Sequence, residues 1–160
     1  MDVRDLVPDD ARIRLIHLEG TISIGDKRNF GCERAAGHVI AHWDDDDHSA
    51  PGRLADQLER LVEKGKCVTG YHSMRFTDGE RWWKYGGTSD YALGTSLVYR
   101  RDWWKAHPFL SKQIGEDNDF VARAWAAGEL ATVDARELMY ATVHPGNTSA
   151  KNLNSAWRAI

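Results

Sequence analysis

Four consecutive aspartates, residues 44–47, are the part of this sequence whose residue type and spacing most clearly suggest chemistry. This acidic run directly follows residues 38–43, whose Val-Ile-Ala centre lacks polar alternation and predicts a buried parallel strand. In open α/β sheets, ligands bind beyond the carboxyl ends of the strands. Adjacent carboxylates repel one another unless a cation relieves them, and Mg²⁺ and Mn²⁺ prefer carboxylate oxygens. The acidic run therefore predicts a divalent cation site; the alternative is a solvated loop.

Two further polar groups stand where helices are predicted to begin. Glu116 and Asp117 open a late helix, where carboxylates interact favourably with the helix dipole, so the pair suits a stabilising role as well as a catalytic one. Lys27, Arg28 and Asn29 open an early helix, where side-chain charges and free backbone N–H groups suit phosphate. The alternative for this second group is a solvated first turn.

Strands and helices alternate around these residues, without an internal repeat or a low-complexity linker. The predicted strands cover residues 13–18, 38–43, 67–77, 80–85, 91–99 and 137–143. The predicted helices cover residues 27–36, 50–64, 101–106 and 117–127. Early alternation followed by a more antiparallel second half indicates an α/β layer fold.

The helix over residues 50–64 has the clearest periodicity. Ser49 is the predicted N-cap, Pro51 lies in the first turn, and Gly65 is the predicted stop. Its apolar face is predicted from a spacing of i, i+4, i+7 and i+8, which selects Leu54, Leu58, Leu61 and Val62.

Composition excludes several classes of protein. The chain has 160 residues, 42% of them hydrophobic and 28% charged, which is typical of one globular domain. A net charge of −3 gives no general attraction to nucleic acid or anionic lipid. No apolar run approaches the roughly 18 residues that span a bilayer, and the acidic opening is not typical of a signal peptide. The two cysteines are expected to be free thiols in a reducing cytoplasm.

Taken together, these motifs resemble the nucleotide-sugar half of a family 2 glycosyltransferase of the GT-A fold. The segments that carry the resemblance are residues 24–31 (IGDKRNFG), 35–40 (AAGHVI), 44–47 (DDDD) and 51–54 (PGRL). The order and spacing of these segments are far more specific than an Asp-x-Asp motif alone. Later segments resemble the acceptor half of the family: residues 94–97 (GTSL), 100–101 (RR), 108–109 (PF) and 115–120 (GEDNDF). Residues 144–149 (HPGNTS) resemble a late metal or substrate loop of some relatives.

The resemblance implies an α/β fold of the GT-A type, a Rossmann-like three-layer sandwich similar to nucleotide-diphospho-sugar transferases. It covers roughly residues 12–149 of a single domain, with a donor-side half at 12–65, an acceptor-side half at 66–149 and a C-terminal tail at 150–160. The family's first two strands, which hold the nucleotide base, have no counterpart here, so the sheet is expected to be N-terminally incomplete. A shortened protein, different strand pairing, a homo-oligomer or a partner chain would each account for the gap.

The family resemblance also implies a donor and metal site. Asp46 is the first choice as a ligand of Mn²⁺ or Mg²⁺, with Asp44 completing the motif, while Asp45 and Asp47 leave its register open. His144 is a further metal ligand by resemblance. Residues that would hold the diphosphate or base of a nucleotide-sugar donor, such as a UDP-sugar, are Lys27, Arg28, Asn29, Asp44 and Asp45.

The implied reaction is an inverting transfer to a hydroxyl of a glycan, a lipid or another acceptor. By match to the family, Asp117 is the general base, and Glu116 is the alternative. Gly94 and Thr95 belong to the acceptor side. Tryptophan accounts for seven residues of the chain, which suggests a sugar-stacking wall as well as core packing. The candidates for that wall are Trp82, Trp83, Trp103 and Trp104. Adjacent residues on a strand point to opposite faces, so at most one of Trp82 and Trp83 can face the acceptor.

Other functions compete with glycosyl transfer. A GT-A-like remnant that binds a cation or sugar without turnover is favoured by the absent strands. A metal-dependent phosphohydrolase would need a second carboxylate set, which the sequence does not offer. Nucleic acid is not an expected partner, although Lys84, Arg100, Arg101 and Lys105 could form a local basic patch. The expected location is the cytoplasm, or the periphery of the membrane.

Overall fold

The computed structural model describes residues 3–147 and 157–160. Its strands are β1 (Val39–Ala41), β2 (His48–Ser49), β3 (Val68–Thr77), β4 (Trp82–Gly86), β5 (Val98–Arg100), β6 (Leu130–Asp134), β7 (Met139–Thr142) and β8 (Trp157–Ala159). Its α-helices are α1 (Ile24–Arg34), α2 (Arg53–Glu63), α3 (Arg101–Ala106) and α4 (Glu116–Ala126). Among the described residues, no helix has the length and apolarity that crossing a bilayer requires.

Strand β3 is the centre of one mixed sheet whose main path is β1-β5-β3-β4-β8. It pairs antiparallel with β5 and β4, and parallel with β6 and β7. Val68 pairs with both Tyr99 of β5 and Leu130 of β6, so these two strands lie on opposite edges of β3. Strand β2 joins the sheet through β7. This curled arrangement brings the ends of β1 and β7 to the same region.

The core divides into two groups of buried side chains. The first lies between the sheet and helices α1, α3 and α4, and includes Tyr99, Phe109 and Phe120. The second lies on the β3–β4 side and includes Phe76 and Met139. Together they hold the ends of the strands, and with them the polar loops, in fixed positions.

Several predicted elements are confirmed. Strands β3 and β4 form the predicted hairpin, α3 has the predicted bounds, and α4 begins one residue earlier than expected. Helix α1 begins at Ile24 rather than Lys27, because Ser23 caps it and accepts a hydrogen bond from the backbone N–H of Asp26 at 3.1 Å.

Three strand predictions are wrong in whole or in part. Residues 13–18 form no strand: Ile13, Leu15 and Ile16 are exposed, and β-branched propensity is insufficient without a neighbouring strand to pair with. Strand β1 is neither parallel nor fully buried, because it pairs antiparallel with β5 at the end of the sheet path. Of residues 91–99, only Val98 and Tyr99 are in a strand, and Gly94–Ser96 forms a 3₁₀ turn.

Helix α2 buries a different face from the predicted one. Its buried residues are Arg53, Gln57 and Leu61, while Leu54, Leu58 and Val62 are exposed and are therefore wrong as core residues. The face that turns inward is the one whose polar groups find acceptors inside the fold. Ser49 lies in β2 rather than at the N-cap, which is Gly52.

The sequence patterns also missed three strands. Strand β2 has two residues, too few for a periodicity. Strand β6 follows Gly128, the glycine with φ of +70° just after α4, and was not predicted. Strand β8 lies in the segment predicted as a C-terminal tail and pairs with β4. No described strand pairs with the edge of β1 that faces away from β5.

Candidate active site

A cleft of about 900 Å³ opens where β1 and β7 end and where α1 and α4 begin. It brings together most of the residues that the sequence singled out. Those lining it are Lys27, Arg28, Gly94, Thr95, Glu116, Asp117, His144 and the four aspartates 44–47. Residues as far apart in sequence as Lys27 and His144 therefore share one cavity.

The acidic run forms a turn after β1 that is tied to the rest of the cleft through Asp47. This carboxylate accepts hydrogen bonds from the Thr95 hydroxyl at 2.5 Å and from the Thr142 N–H at 3.0 Å. Burial raises the pKa of Asp47, and the negative charges of Asp44 and Asp46 act in the same direction. The turn is thus fixed in place by neutral donors while its carboxylates repel one another.

Three of these carboxylates converge. Asp44, Asp46 and Asp47 each offer an oxygen within 4.8 Å of the others, and we call this set the carboxylate triad. Asp45 lines the cleft but lies outside the triad. A cluster of hard, anionic oxygens fits the ligand preference of Mg²⁺ or Mn²⁺, since one divalent ion would relieve the repulsion. The residues present therefore fit the predicted cation, with Asp44, Asp46 and Asp47 as its holders.

His144 lies beside the triad and contacts Asp46. Its Nδ1 accepts a hydrogen bond from the Gly146 N–H at 3.1 Å, so the proton of the neutral ring is on Nε2. Nε2 lies 2.8 Å from Oδ2 of Asp46, which also accepts from the Asn147 amide at 3.3 Å. In this arrangement His144 donates to a triad carboxylate and orients it. Thr148 and Ser149 of the same motif lie outside the described residues.

The first turn of α4 places the two remaining carboxylates differently. Gly115, with φ of +81°, makes the left-handed turn into the helix. Glu116 is buried and accepts a hydrogen bond from Nε of Arg28 at 3.0 Å, forming an ion pair. Asp117 lies directly against Gly94: a Cβ atom on residue 94 would be 2.1 Å from Oδ2 of Asp117. Glu116 is thus occupied by Arg28, whereas Asp117 faces the cleft.

Burial is the main cause of an altered proton affinity at Asp117. Desolvation raises the pKa of this carboxyl, the neighbouring charge of Glu116 raises it further, and Arg28 opposes both. A carboxylate with a raised pKa is a stronger base than one in open water, which suits a group that must accept a proton.

Arg28 also connects the cleft to a buried histidine that sequence reasoning missed. Its guanidinium lies 2.8 Å from Nδ1 of His42, and Nε2 of that ring lies 3.0 Å from the Tyr99 hydroxyl. The Tyr99 hydroxyl in turn lies 3.2 Å from Sγ of Cys32. Burial and the nearby Arg28 charge lower the pKa of His42 to about 3, so the ring is neutral. His42 follows an edge strand in sequence, and no motif marks it.

Arg53 is a second residue that the sequence analysis did not select. Its side chain is fully buried, and its guanidinium donates to His42 O, Thr95 O, Ser49 Oγ and Gln57 Oε1, at 2.8–3.2 Å. Two of these acceptors are backbone carbonyls, one directly after β1 and one in the 3₁₀ turn. Arg53 therefore joins the end of β1 to the 3₁₀ turn that carries Gly94 and Thr95.

Some predicted site residues lie elsewhere. Asn29 bridges α1 to the start of the α3–α4 connection, donating to Phe109 O at 2.8 Å and accepting from the Phe109 N–H and the Trp104 indole, each at 2.9 Å. Trp103 is buried, with its ring stacked 3.8 Å from that of His107. Trp82 contacts Tyr140, 5.1 Å away between ring centres. Asn29, Trp82, Trp83, Trp103 and Trp104 do not line the cleft.

Comparison with known proteins identifies the family of the chain that contains this cleft. The sequence matches the family described as Glycosyl transferase family 2 over residues 2–123, which is more than half of the chain. The chain therefore belongs to glycosyltransferase family 2. No curated protein matches the sequence significantly.

Solved structures of S. aureus TarS are similar to this chain in fold. TarS 1–349 in complex with UDP-GlcNAc is 21% identical, with a TM-score of 0.65 over 84% of this chain and 44% of that one. TarS 1–349 in complex with UDP is also 21% identical, with a TM-score of 0.59 over 77% of this chain and 41% of that one. The chain thus has the mixed α/β GT-A fold and spans less than half the length of these TarS chains.

Proposed function

We propose that this protein is a metal-dependent, inverting glycosyltransferase that uses a nucleotide-sugar donor. The observation that carries the proposal is the presence, in one cleft, of the carboxylate triad and of Asp117 with its raised pKa. Family membership supports glycosyl transfer in general. The similar TarS structures contain UDP-GlcNAc or UDP, which supports a uridine diphosphate donor here.

In the proposed reaction an acceptor hydroxyl attacks the anomeric carbon of the donor sugar. The new bond joins the acceptor oxygen to that carbon, and the bond from the carbon to the diphosphate oxygen breaks. Asp117 takes the proton of the acceptor hydroxyl, and the nucleoside diphosphate leaves with the electron pair. Inversion follows from a single displacement.

The remaining residues of the cleft hold the donor and its charge. A divalent ion held by the triad would neutralise negative charge that develops on the leaving diphosphate. Lys27 lies at the exposed start of α1 and is placed to bind a phosphate oxygen. Arg28 forms an ion pair with Glu116. Its proposed role is therefore to hold the first turn of α4, and with it Asp117, in position.

A non-catalytic protein that only binds a cation or sugar is the second candidate. No described strand pairs with the outer edge of β1, and this favours the second candidate, since a partial site can bind without turning over. Release of free nucleoside diphosphate from a donor separates the two functions, because binding alone liberates none.

The experiment compares the wild-type chain with Asp117→Asn. With Mn²⁺, UDP-GlcNAc or another nucleotide sugar, and water as the acceptor, the wild type should release nucleoside diphosphate and free sugar, and loss of the base should slow release by about 10²–10⁴-fold. Affinity for UDP and Mn²⁺ should stay within about twofold, because the amide keeps the shape of the side chain.

Asp119→Asn is the matched control. It changes the same helical turn, but Asp119 pairs with Lys112 and does not line the cleft. This variant should retain the wild-type rate. A wild-type rate in Asp117→Asn would exclude Asp117 as the base, and binding without release in the wild type would favour the second candidate.

A further inference from the structure

Trp43 is a large apolar side chain left half in solvent inside the cleft. It directly precedes Asp44 of the triad and is 53% exposed. An indole is costly to leave in water, and exposed aromatic rings within a cleft are common binding surfaces for planar ligands. Neither the triad nor the proposed base needs a ring at this position.

The ring is held from one side. The guanidinium carbon of Arg53 lies 4.8 Å from the centre of the Trp43 ring, a cation–π contact. Arg53 is itself fully buried and fixed by its hydrogen bonds to His42 O, Thr95 O and other neutral acceptors. Because the arginine covers one face, the exposed half of the indole must include the opposite face. Trp43 is thus an aromatic ring held in place on one face, with its other face exposed to the cleft.

A smaller cavity, of about 320 Å³, extends the cleft beside the Trp43 ring. Both cavities are lined by Lys27, Arg28, Trp43 and Asp44. The residues that line the smaller one alone are Gly31, Cys32, Ile40, Ala41, His42 and Tyr99. Glu116 and Asp117 do not line it, so the smaller cavity leads away from the proposed base. A donor whose diphosphate binds at the triad would therefore have its sugar towards Asp117 and its base towards Trp43.

We propose that Trp43 stacks on the nucleobase of the donor. The inference rests on the proposed function for the identity of the ligand as a nucleoside diphosphate. It assigns base recognition to the residue that precedes the acidic run.

The test compares the binding of UDP with that of pyrophosphate, both with Mn²⁺, by isothermal titration calorimetry. Pyrophosphate keeps the metal-binding part of the ligand and lacks the base. Trp43→Ala should weaken UDP binding by about 5- to 150-fold, the range for loss of one base–aromatic stack, and leave pyrophosphate binding within about twofold. Trp43→Phe should restore most of the UDP affinity, whereas Trp43→Leu, which keeps bulk without an aromatic face, should not.

Trp125→Ala is the matched control, because Trp125 is 51% exposed and lies on α4 outside both cavities. It should leave both affinities unchanged. Equal losses of UDP and pyrophosphate in Trp43→Ala would overturn the proposal, since they would mean that the indole only shapes the acidic run. A loss for UDP-GlcNAc without one for UDP would also overturn it, in favour of stacking on the sugar.

The two proposals fail in distinguishable ways. Wild-type binding of pyrophosphate and Mn²⁺ without any preference for UDP would overturn the role of Trp43 and leave the cation site intact. Binding of UDP through Trp43 without release of nucleoside diphosphate from any donor would overturn catalysis and leave the role of Trp43 standing.

Discussion

The carboxylate triad makes the stability of the folded chain depend on a divalent cation. Asp44, Asp46 and Asp47 hold oxygens within 4.8 Å of one another, so a cation that binds them stabilises the folded state selectively. Asp46 is the exposed member, with His144 and Asn147 as its hydrogen-bond partners. Asp46→Asn keeps the size of the side chain and removes one anionic ligand.

The size of the effect follows from binding linkage. Mn²⁺ at 100 times its dissociation constant stabilises the folded state by about 2.7 kcal/mol. If Asp46→Asn weakens binding about 100-fold, the same concentration stabilises by only about 0.4 kcal/mol. For a chain of this length, 1 kcal/mol moves the melting temperature by about 2–4 °C, so the Mn²⁺-induced rise should fall from about 5–11 °C to about 1–2 °C.

Thermal unfolding with and without Mn²⁺, at constant pH and ionic strength, measures this rise. Asp45→Asn is the control, because it removes the same charge from the same turn but Asp45 lies outside the triad. It should keep the full rise. An undiminished rise in Asp46→Asn, or its loss in Asp45→Asn, would refute the assignment of the triad. The absence of any rise in the folded wild type would make the acidic run a solvated loop.

Two further predictions concern the buried groups behind the cleft. The pKa of His42 is lowered from 6.5 to about 3 in the folded chain. Between these pH values the ring is protonated in the unfolded chain but not in the folded chain, so the free energy of unfolding should fall as the pH drops from about 6.5 to 3. The stability advantage of wild type over His42→Gln, measured by urea unfolding, should therefore shrink by up to about 2 kcal/mol between pH 7.5 and pH 5. Arg28→Met leaves buried Glu116 unpaired and should destabilise by about 3–5 kcal/mol. Arg75→Met, which breaks an exposed ion pair, should cost at most about 1 kcal/mol in the same assay, and equal losses would contradict this difference.

The residues that line the cleft could largely be predicted from sequence because their signals are local. The acidic run lies next to its own strand, and Glu116 and Asp117 lie in the first turn of their own helix. Such residues keep their relation to an element whatever the element packs against. Their convergence in one cavity agrees with the resemblance to the family.

Properties set by distant partners could not be predicted. Apolar spacing selected Leu54 and Leu58 for the core, yet the buried face of α2 is the one where Arg53 reaches the carbonyl oxygen of Thr95, 42 positions away. A leucine can remain in water at modest cost, whereas a buried arginine must have its donors satisfied. The strand predicted at 13–18 failed for a related reason, because propensity does not supply a neighbouring strand.

The central position of β3 has a consequence for the order in which the chain folds. Its hairpin with β4 closes across a short turn, but Val68 also pairs with Leu130, 62 residues later. At about 5–20 residues per second, a ribosome needs about 3–12 s to make that intervening segment. Throughout this interval the β6 edge of β3 is unpaired and its buried side chains are uncovered. The nascent chain is therefore most open to aggregation between synthesis of the hairpin and synthesis of β6, and a chaperone should engage it then.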